Sequence, residues 1–448
     1  MKAMRMFSLL SGNEEVAMWK FQIPVLKFQY ANRLGIWLLA FGILFVSSTA
    51  EAASYPITYR YNHHLFELQP YEYSHWKGQK QVWSSHGKSI RPLAEFRVDG
   101  DQVPPLPAGV VRHIVVDWDK RAMRETLKEK ISLKLDREPG AVTIKKTGTG
   151  VLFEGIGMLG RKVDLDLAVE LTIKALENEV TDVVLPVIEI QPQMEIDIAL
   201  RKMGIREVIT VGESDYSGSP YARRLNIANG LSKFNGTVIE KGEIFSFNET
   251  LGPVNSTTGY YKELVILGER TLPEYGGGLC QVSTTAYRGI WEYGFPIEKR
   301  RNHSFAVMYY SPQGTDATIY PPHTDMKFAN DSPGALLIQT YNDAENRLAY
   351  YIYYGTNDNR ESEIIGPYVW GRRSAPADKV EYTTAIAPGT TRKAGGRVPG
   401  LKAVWYRVVN KGGKETVEPF FSYYEARPNL LQIGVSDMPG NEPSWIGN

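Results

Sequence analysis

The chain has 448 residues, of which 43% are hydrophobic and 23% are charged, a balance typical of globular rather than disordered protein. Such a length normally divides into several domains, because single hydrophobic cores stop growing at about 250–300 residues. The 51 Lys and Arg residues nearly match the 50 Asp and Glu residues, which leaves a net charge of +1. Without an excess of basic residues or a long basic run, we expect no nucleic-acid partner.

The amino-terminal segment has the features of an export signal. Lys20, Lys27 and Arg33 precede an apolar run at 34–46, and small residues follow it. This order is typical of a signal peptide, and the run is shorter than the roughly 20 apolar residues that span a bilayer. We predict that residues 1–53 are a signal peptide or an N-terminal membrane anchor. The protein would then lie on the extracellular or cell-wall face, either secreted or held at the cytoplasmic membrane by this segment.

Residues 54–109 predict irregular or β structure and end in the linker-like run VPPLPAG. This segment contains adjacent histidines, His63 and His64. On a strand they would face opposite sides and would not share a metal ion. We predict neither a metal site nor a cofactor for the chain.

Residues 110–200 predict a small α+β module. HIVVDW predicts a strand, and Arg121–Leu135 has a helical pattern. AVTIKK and VLFEGI predict two strands around the turn TGTG. Asp164 is placed to cap a helix that runs to Asn178, and TDVVLPVIEI predicts the closing strand.

Residues 331–448 predict a β-rich C-terminal module. The stretch QTYNDAENRLAYYIYYG alternates around a polar turn, as a hairpin does. Further on, KAVWYRVVNKGGKETVEPFFSYYEARP contains two strand-like runs separated by the turn KGGK. Both stretches predict antiparallel hairpins.

Several separated motifs follow one another between residues 205 and 330. They are FSFN-x-x-x-G (Phe245–Gly252), GGG-x-CQ-x-ST (Gly276–Thr284), and N-H-S followed by D-A (Asn302–Ser304 and Asp316–Ala317). In this order they resemble the VanW family, which is named for a vancomycin-resistance cluster. The resemblance implies a VanW domain over residues 205–330 and a cell-envelope setting.

The flanking modules also resemble companions of VanW domains. In the 110–200 module, GRKVDLDLA followed by VVLPV is similar to a peptidoglycan-binding module that often precedes them. The stretch up to about Gly434 resembles small, glycine-punctuated β modules thought to bind wall sugars. These resemblances imply peptidoglycan or a cell-wall peptide as the partner, although the first module is equally consistent with a structural spacer.

Cys280 is the single cysteine, so no intramolecular disulfide can form. Three glycines, Gly276–Gly278, run directly into it. Apolar residues then recur at helical spacing on one stripe, at Val282, Ala286, Ile290 and Tyr293. The pattern places Cys280 at or near a helix N-terminus, where free N–H groups and the helix dipole lower the pKa of a thiol. The alternative is a thiol that only packs in the core.

His303 and Asp316 are the candidate partners of the thiol. His303 lies in a β-like run after the helix, and Asp316 lies in a second run across the turn SPQG, which predicts a hairpin. The order of Cys at a helix start, His on one strand and Asp on its neighbour is similar to papain-like and transglutaminase-like enzymes. There an imidazole accepts the thiol proton and a carboxylate fixes its tautomer. The alternatives are a structural histidine and a carboxylate beside a turn.

A further set of residues around the motifs is predicted to bind substrate: Gly276, Gly277, Gly278, Gln281, Ser283, Thr284, Asn248 and Asn302. The glycines would let a substrate approach the backbone, and N–H groups near Gly278 and Cys280 would hold an oxyanion. Ser283 and Thr284 are equally suited to satisfying backbone groups.

The remaining residues of the motifs predict structure rather than chemistry. Phe245 and Phe247 are two residues apart and are expected in the core on one strand face. His323 and Asp325 suggest a metal pair, but two ligands are too few for a site, and we predict none.

The sequence therefore predicts a multidomain α+β envelope protein with a papain-like or transglutaminase-like VanW domain. In the hypothesised acyl transfer, Cys280 attacks an amide or ester carbonyl, His303 moves the proton and Asp316 orients the imidazole. The enzyme would be an amidase, peptidase or transpeptidase acting on peptidoglycan peptides. The alternative is a non-catalytic scaffold that binds peptidoglycan or glycan.

Overall fold

The computed structural model describes residues 55–90, 109–267 and 270–437, so the expected signal or anchor segment 1–53 lies outside the described residues. The described chain is α+β and rich in strands, which form several small sheets. Within these ranges, no helix combines the length and the apolar character needed to cross a membrane.

The helices are α1 (Pro70–Tyr73), α2 (Lys120–Leu127), α3 (Leu133–Leu135), α4 (Leu165–Glu177), α5 (Ile198–Lys202), α6 (Tyr221–Ser232), α7 (Phe247–Leu251) and α8 (Leu279–Tyr293). A π-helical turn, Lys128–Ser132, joins α2 to α3, and single 3-10 turns occur at Ser74–Trp76, Ser256–Thr258 and Met308–Tyr310.

The strands of the first half are β1 (Ile57–Tyr61), β2 (His64–Leu68), β3 (Lys77–Ser85), β4 (Lys88–Ile90), β5 (Val110–Trp118), β6 (Ala141–Lys146), β7 (Val151–Ile156), β8 (Gly160–Val163), β9 (Asp182–Val184), β10 (Val187–Ile190), β11 (Gln193–Ile196) and β12 (Glu207–Asp215). Those of the second half are β13 (Val238–Ile239), β14 (Ile244–Ser246), β15 (Lys262–Leu267), β16 (Arg270–Tyr275), β17 (Ile297–Lys299), β18 (Lys327–Ala329), β19 (Leu336–Asp343), β20 (Leu348–Gly355), β21 (Glu361–Arg373), β22 (Lys379–Thr383), β23 (Thr391–Gly395), β24 (Gly400–Lys411), β25 (Lys414–Tyr424) and β26 (Leu430–Gly434).

The first hydrophobic core lies between the sheet β2-β1-β9 and the helices α2 and α4. β1 pairs antiparallel with β2 and parallel with β9, and the fully buried Trp76 and Leu127 pack beneath them. This core is continuous across residue 110, where the sequence suggested a module boundary. The predicted helices are confirmed: the segment α2 to α3 covers the first, and the Asp164 side chain caps α4 by accepting from Leu167 N–H at 3.0 Å.

The strand predicted at the end of this module is wrong in one respect. TDVVLPVIEI forms two strands, β9 and β10, which belong to different sheets. Pro186 separates them, because proline has no N–H to donate to a continuing ladder. The predicted pair AVTIKK and VLFEGI is confirmed as the antiparallel hairpin β6–β7.

The central sheet, β12-β20-β19-β13, is antiparallel throughout and carries α8 on one face. Helix and sheet approach closely at Gly212 of β12 and Gly289 of α8. A Cβ atom on Gly212 would lie 2.0 Å from Thr285 O, and one on Gly289 would lie 2.6 Å from Gly212 N. The hairpin predicted at the start of the C-terminal module is confirmed as β19–β20, and its strands complete this central sheet.

Two further sheets, β21-β24-β25 and β22-β26-β23, follow the central one. The predicted KGGK turn is confirmed between β24 and β25, with Gly412 and Gly413 at φ 59° and 79°. The sequence did not predict β21, which lies in a polar stretch. Trp405 of β24 packs edge-on against Trp291 of α8, with ring centroids 5.8 Å apart. The C-terminal strands therefore share the core of the central helix.

Candidate active site

Cys280 lies in the first turn of α8, as predicted. The helix begins at Leu279, and Gly278 precedes it in the left-handed region at φ 113°. The Cys280 side chain is partly exposed. Every residue of α8 from Gln281 to Glu292 is buried, so the helix buries all of its faces there and not only the predicted apolar stripe. The helix is surrounded by the central sheet, α6 and the loops of the site rather than lying on a surface.

The three glycines before Cys280 approach the protein itself. A Cβ atom on Gly276 would lie 2.5 Å from Val254 Cγ1, and one on Gly277 would lie 2.8 Å from the backbone carbon of Glu263. At Gly278 it would meet Arg223 Cγ at 2.9 Å. These glycines therefore allow close packing and a left-handed turn at the helix start, and their contact with a substrate stays a prediction.

The Cys280 sulfur lies at the centre of a polar group of atoms. It is 3.4 Å from Thr318 Oγ1 and 3.6 Å from Ile319 O, and the His303 imidazole lies nearby. Burial alone would raise the pKa of the thiol. The polar interaction with His303 and the positive charge of its ring outweigh burial and lower the pKa of Cys280 to about 7. A large fraction of the sulfur is therefore thiolate at neutral pH.

His303 connects this sulfur to Asp316. Its Nδ1 lies 2.6 Å from Asp316 Oδ2, and its backbone N–H donates to the same oxygen at 2.7 Å. Because the carboxylate holds Nδ1, the nitrogen that remains for Cys280 is Nε2. Burial alone would lower the pKa of His303, but Asp316 and Cys280 raise it to about 9. Between about pH 7 and 9 the pair is therefore a thiolate and an imidazolium.

Asp316 is ionised and fully enclosed, with 1% of its surface exposed. Burial would raise its pKa, but the hydrogen bonds and charges of His303 and Arg300 hold the pKa well below its ordinary range. The second oxygen, Oδ1, accepts from Arg300 Nη2 at 3.2 Å and from the Tyr424 hydroxyl at 2.6 Å. Both carboxylate oxygens thus have partners.

The predicted hairpin across SPQG is wrong, because His303 and Asp316 lie in irregular loops rather than on strands. The backbone N–H of His303 bonds to a side chain instead of a neighbouring strand. Pro312 and Gly314, the latter at φ 96°, interrupt the chain between the two residues. The strand arrangement expected from papain-like enzymes is thus replaced by two loops that meet at the carboxylate.

Three residues predicted to bind substrate are fully buried and bonded inside the protein. Gln281 accepts from Arg223 at 3.1 Å and donates to Asp215 O at 3.2 Å. The Ser283 hydroxyl donates to Ala317 O, and the Thr284 hydroxyl accepts from Ala317 N–H at 3.0 Å. Ser283 and Thr284 thus hold the loop beside Asp316, whereas Gln281 joins α8 to Arg223 of α6 and to the end of β12. Their contact with a substrate stays a prediction.

The two asparagines are also bonded to the backbone. Asn302 donates to His303 O at 2.7 Å and to Tyr423 O at 2.9 Å, so it anchors the histidine loop. Asn248 donates to Thr324 O at 2.9 Å and lies in α7, whose partners are not the residues around Cys280. Only Asn302 of these two is therefore next to the site.

The other motif residues support the fold. Phe245 lies in β14 and Phe247 is the first residue of α7. Both side chains are buried, but they do not share a strand face as predicted. Asp325 accepts from the Ser246 hydroxyl at 2.7 Å, whereas the His323 ring stacks on Tyr320. The pair considered for a metal is thus divided between two separate contacts.

Four residues of the site were missed by the sequence reasoning: Arg223, Arg300, Tyr310 and Tyr424. The Tyr310 ring stacks on His303 with centroids 4.4 Å apart, and Arg223 lies 3.5 Å from the Tyr310 hydroxyl. Arg300 lies two residues before the N-H-S motif, so its position in the sequence could have identified it as a site residue. Tyr424 lies far along the chain, and no sequence pattern connects it to Asp316.

Two further histidines, His63 and His64, lie against the C-terminal part of α8. His63 is in the turn between β1 and β2, so its ring lies beside that of His64, with centroids 4.2 Å apart, and the prediction of opposite strand faces is wrong. His63 Nδ1 is hydrogen-bonded to Glu292, and His64 Nε2 lies 2.7 Å from Glu213. Arg161 also binds Glu213, at 2.9 Å. We call this group the His63–His64 cluster.

Two cavities in the described chain lie away from Cys280. One is lined by residues that include Trp118 and Glu170, and the other borders the His63–His64 cluster at Tyr61 and Arg161. Cys280, which is half-buried, does not line either of these two cavities.

The chain was compared with known proteins. Residues 222–353 match the family described as VanW like protein. The uncharacterized protein YoaR of Bacillus subtilis (strain 168) is 31% identical over 124 residues, which are 28% of this chain and 41% of that protein. The chain thus spans less than half the length of this relative.

Two solved structures of G5 domains align with part of the chain. The G5 domain of an IgA1 protease is 15% identical with a TM-score of 0.12, covering 18% of this chain and all of that one. The HP0197-G5 crystal structure is 15% identical with a TM-score of 0.09, covering 17% of this chain and 96% of that one.

Cys280, His303 and Asp316 all fall within residues 222–353, the region matched by the family. The motifs that predicted the family therefore coincide with the region found by comparison. The chain thus carries a VanW-like region at residues 222–353.

Proposed function

We propose that the protein is a cysteine-dependent acyl-transfer enzyme of the cell envelope, with Cys280 as its nucleophile. The observation that carries this proposal is the placement of the half-buried Cys280 beside His303, whose Nδ1 lies 2.6 Å from the buried Asp316 Oδ2. A nucleophile, a base within hydrogen-bonding reach and a group that orients the base are the three parts that such catalysis needs.

In the proposed first step, the Cys280 thiolate attacks the carbonyl carbon of an amide or ester. Of the N–H groups in the first turn of α8, those of Leu279 and Gln281 donate to Gly276 O and Gly278 O, so the Cys280 N–H is the one that would stabilise the oxyanion. The imidazolium of His303 then gives its proton to the departing amine or alcohol as the carbonyl bond to that group breaks. The product of this step is a thioester on Cys280.

In the second step, His303 removes a proton from water or from an acceptor amine, which attacks the thioester. Cys280 leaves as the thiolate, and the pair returns to its starting charges. Water gives hydrolysis, as in an amidase or peptidase, and an amine gives transpeptidation. Asp316 keeps the imidazole in the required orientation and stabilises its positive charge.

We infer that peptidoglycan peptides are the substrate class. The VanW family is associated with the cell envelope, and the sequence predicts that this chain is exported. Stem peptides are the amides that an exported enzyme meets there. The proposed location is the extracellular or cell-wall face, with the expected segment 1–53 serving as a cleaved signal or an anchor.

A second candidate function, glycan binding by a non-catalytic scaffold, is favoured by one specific surface. Four aromatic side chains lie on the same face of the sheet β21-β24-β25 and are 40–56% exposed: Tyr368, Trp370, Phe421 and Tyr423. Flat aromatic rings at a surface are suited to stacking on sugar faces. We call these four residues the aromatic face.

Turnover of peptidoglycan fragments separates the two candidates. The purified protein, Cys280→Ala and Trp370→Ala would be incubated with muropeptides, and new products would be identified by mass spectrometry. We expect the wild type and Trp370→Ala to release or exchange a peptide group and Cys280→Ala to be inactive. Turnover by Cys280→Ala would contradict the proposed nucleophile. Binding without turnover that Trp370→Ala abolishes would support the scaffold instead.

A further inference from the structure

The carboxylate of Asp316 is held from a strand more than a hundred residues further along the chain. The Tyr424 hydroxyl, at the end of β25, donates to Asp316 Oδ1 at 2.6 Å. The same hydroxyl accepts from Gly314 N–H at 2.7 Å. Tyr424 is 3% exposed, so both contacts are shielded from water. One phenol therefore connects β25 to the carboxylate and to the loop that carries it.

Arg300 connects Asp316 to the same strand by a second route. Its Nε donates to Asp316 O at 2.6 Å and its Nη2 donates to Oδ1 at 3.2 Å. Its Nη1 donates to the Ser422 hydroxyl on β25 at 2.8 Å. The guanidinium is thus fixed between the carboxylate and the strand, and the planar fork allows all of these contacts at once.

The loops around His303 and Asp316 also rest on β24 and β25 through their backbones. Trp405 Nε1 of β24 donates to Gln313 O at 2.8 Å. Asn302 donates to Tyr423 O at 2.9 Å, and Glu425 N–H donates to Ser304 O at 2.7 Å. Because these loops have no ladder of their own, the C-terminal hairpin supplies the bonds that define their shape.

We propose that Tyr424 is a positioning residue for the acyl-transfer site: it holds the Asp316 carboxylate so that Oδ2 stays on His303. This inference rests on the proposed function. A carboxylate can rotate and present either oxygen, so binding Oδ1 firmly also fixes Oδ2. The family match ends at residue 353, and the site is therefore completed by a hairpin outside the matched region.

Removal of the hydroxyl has a definite consequence for the reactive thiol. In Tyr424→Phe, Arg300 is the remaining side chain on Oδ1, and the carboxylate turns toward it. The bond from Oδ2 to His303 then weakens, the imidazolium loses its stabilising partner, and the pKa of Cys280 rises. The phenylalanine ring keeps the packing of Tyr424, so the change is confined to the hydroxyl.

The pH dependence of Cys280 alkylation by iodoacetamide in the full chain tests this inference. We expect Tyr424→Phe to raise the midpoint and to slow alkylation at pH 7 by about threefold to fivefold, the loss of thiolate for a rise of roughly 0.6 to 1 pKa unit. Tyr382→Phe is the matched control, because Tyr382 lies on β22 and is 48% exposed. Its midpoint should equal that of the wild type.

An unchanged or lower midpoint in Tyr424→Phe overturns the positioning role. Ser422→Ala gives a second test that alters the packing less, because it removes the shorter of the two bonds from Arg300 Nη1 to β25 and leaves the one to Phe421 O at 3.3 Å. The same direction of shift is expected, and an unchanged midpoint there would also count against positioning by this strand. Failure of the proposed function is distinguishable, because the wild type itself would then titrate near the ordinary thiol value of about 8.5.

Discussion

Two histidine sites contact opposite ends of α8, and they have similar partners but opposite pKa shifts. His303 is bonded to Asp316 at one end of the helix, and His64 is bonded to Glu213 near the other. Burial alone would lower both pKa values. At His303 the carboxylate and the thiol outweigh burial and raise the pKa to about 9, whereas burial and the neighbouring His63 lower the pKa of His64 to about 4.

The difference lies in the other partners of each carboxylate. Glu213 is already bonded to Arg137 at 2.6 Å and to Arg161 at 2.9 Å, so its charge is shared with two cations and does little for His64. Asp316 binds one arginine through Oδ1, and its Oδ2 is bonded to the ring and the backbone N–H of His303. A carboxylate partner therefore does not by itself make a histidine basic, and the nearby cations decide the outcome.

The two groups also differ in chemistry. Cys280 places a thiol beside His303, whereas the His63–His64 cluster joins its histidines to carboxylates and guanidinium groups at the edge of a cavity. We therefore expect the Cys280–His303–Asp316 site to determine activity and the His63–His64 cluster to determine stability.

The largest expected effect is on activity. Cys280→Ala removes the nucleophile, and we expect turnover of muropeptides to fall by about a thousandfold or more. The free energy of unfolding should change little, since the side chain is small and partly exposed. The measurement is the initial rate of product formation beside a urea unfolding curve. His64→Gln is the matched control and should retain its rate; equal losses in both variants would contradict the division.

The next effect is on stability. Glu213→Gln leaves Arg137 and Arg161 without their buried anion, and we expect a loss of about 3–5 kcal/mol in the free energy of unfolding. Asp166→Asn is the control, because its pair with Arg124 is exposed and worth about 0–1 kcal/mol. Urea unfolding of both variants checks the expectation, and similar small losses in both would show that the cluster is not a stability centre.

A smaller effect concerns the pH dependence of stability. The pKa of His64 is lower in the folded protein than in the unfolded chain, so its neutral form favours folding and stability falls as pH drops from 6.5 toward 4. The pKa of His303 is raised, so its contribution is full below pH 6.5 and is lost as pH rises toward 9. The two groups therefore act on opposite sides of neutrality.

Variants of each histidine should flatten one side of the stability profile. We expect His64→Gln to reduce the change between pH 6.5 and 4 by roughly 1–3 kcal/mol, and His303→Gln to do so between pH 6.5 and 9. Thermal or urea unfolding at several pH values provides the measurement. Flattening on the same side by both variants would contradict the opposite electrostatics of the two groups.

The helices that position the site could be predicted from local signals. Asp164 caps α4, and the glycines before Cys280 mark the start of α8, because caps and left-handed turns depend on neighbouring residues alone. The KGGK turn between β24 and β25 was predicted for the same reason. The three candidate catalytic residues that the motifs contain, Cys280, His303 and Asp316, lie close together in the structure.

The remainder could not be predicted, because it depends on contacts between distant parts of the chain. His303 and Asp316 were expected on strands, but their backbones are shaped by a side-chain carboxylate and by β24 and β25. The stretch with His63 was predicted as irregular or β, and the opposite faces expected for a strand do not occur, because the turn at Asn62, with φ 51°, brings the His63 ring beside that of His64. No local pattern in the sequence encodes the bond from Tyr424 to Asp316.

The most direct test of the account is the pH dependence of Cys280 alkylation in wild type, His303→Ala and His64→Gln. We predict a midpoint near 7 in the wild type and in His64→Gln. In His303→Ala the midpoint should rise to at least about 8.5, because burial then acts on the thiol without an imidazolium to oppose it. A wild-type midpoint near 8.5, or one that His303→Ala leaves unchanged, would contradict the Cys280–His303 pair on which the account depends.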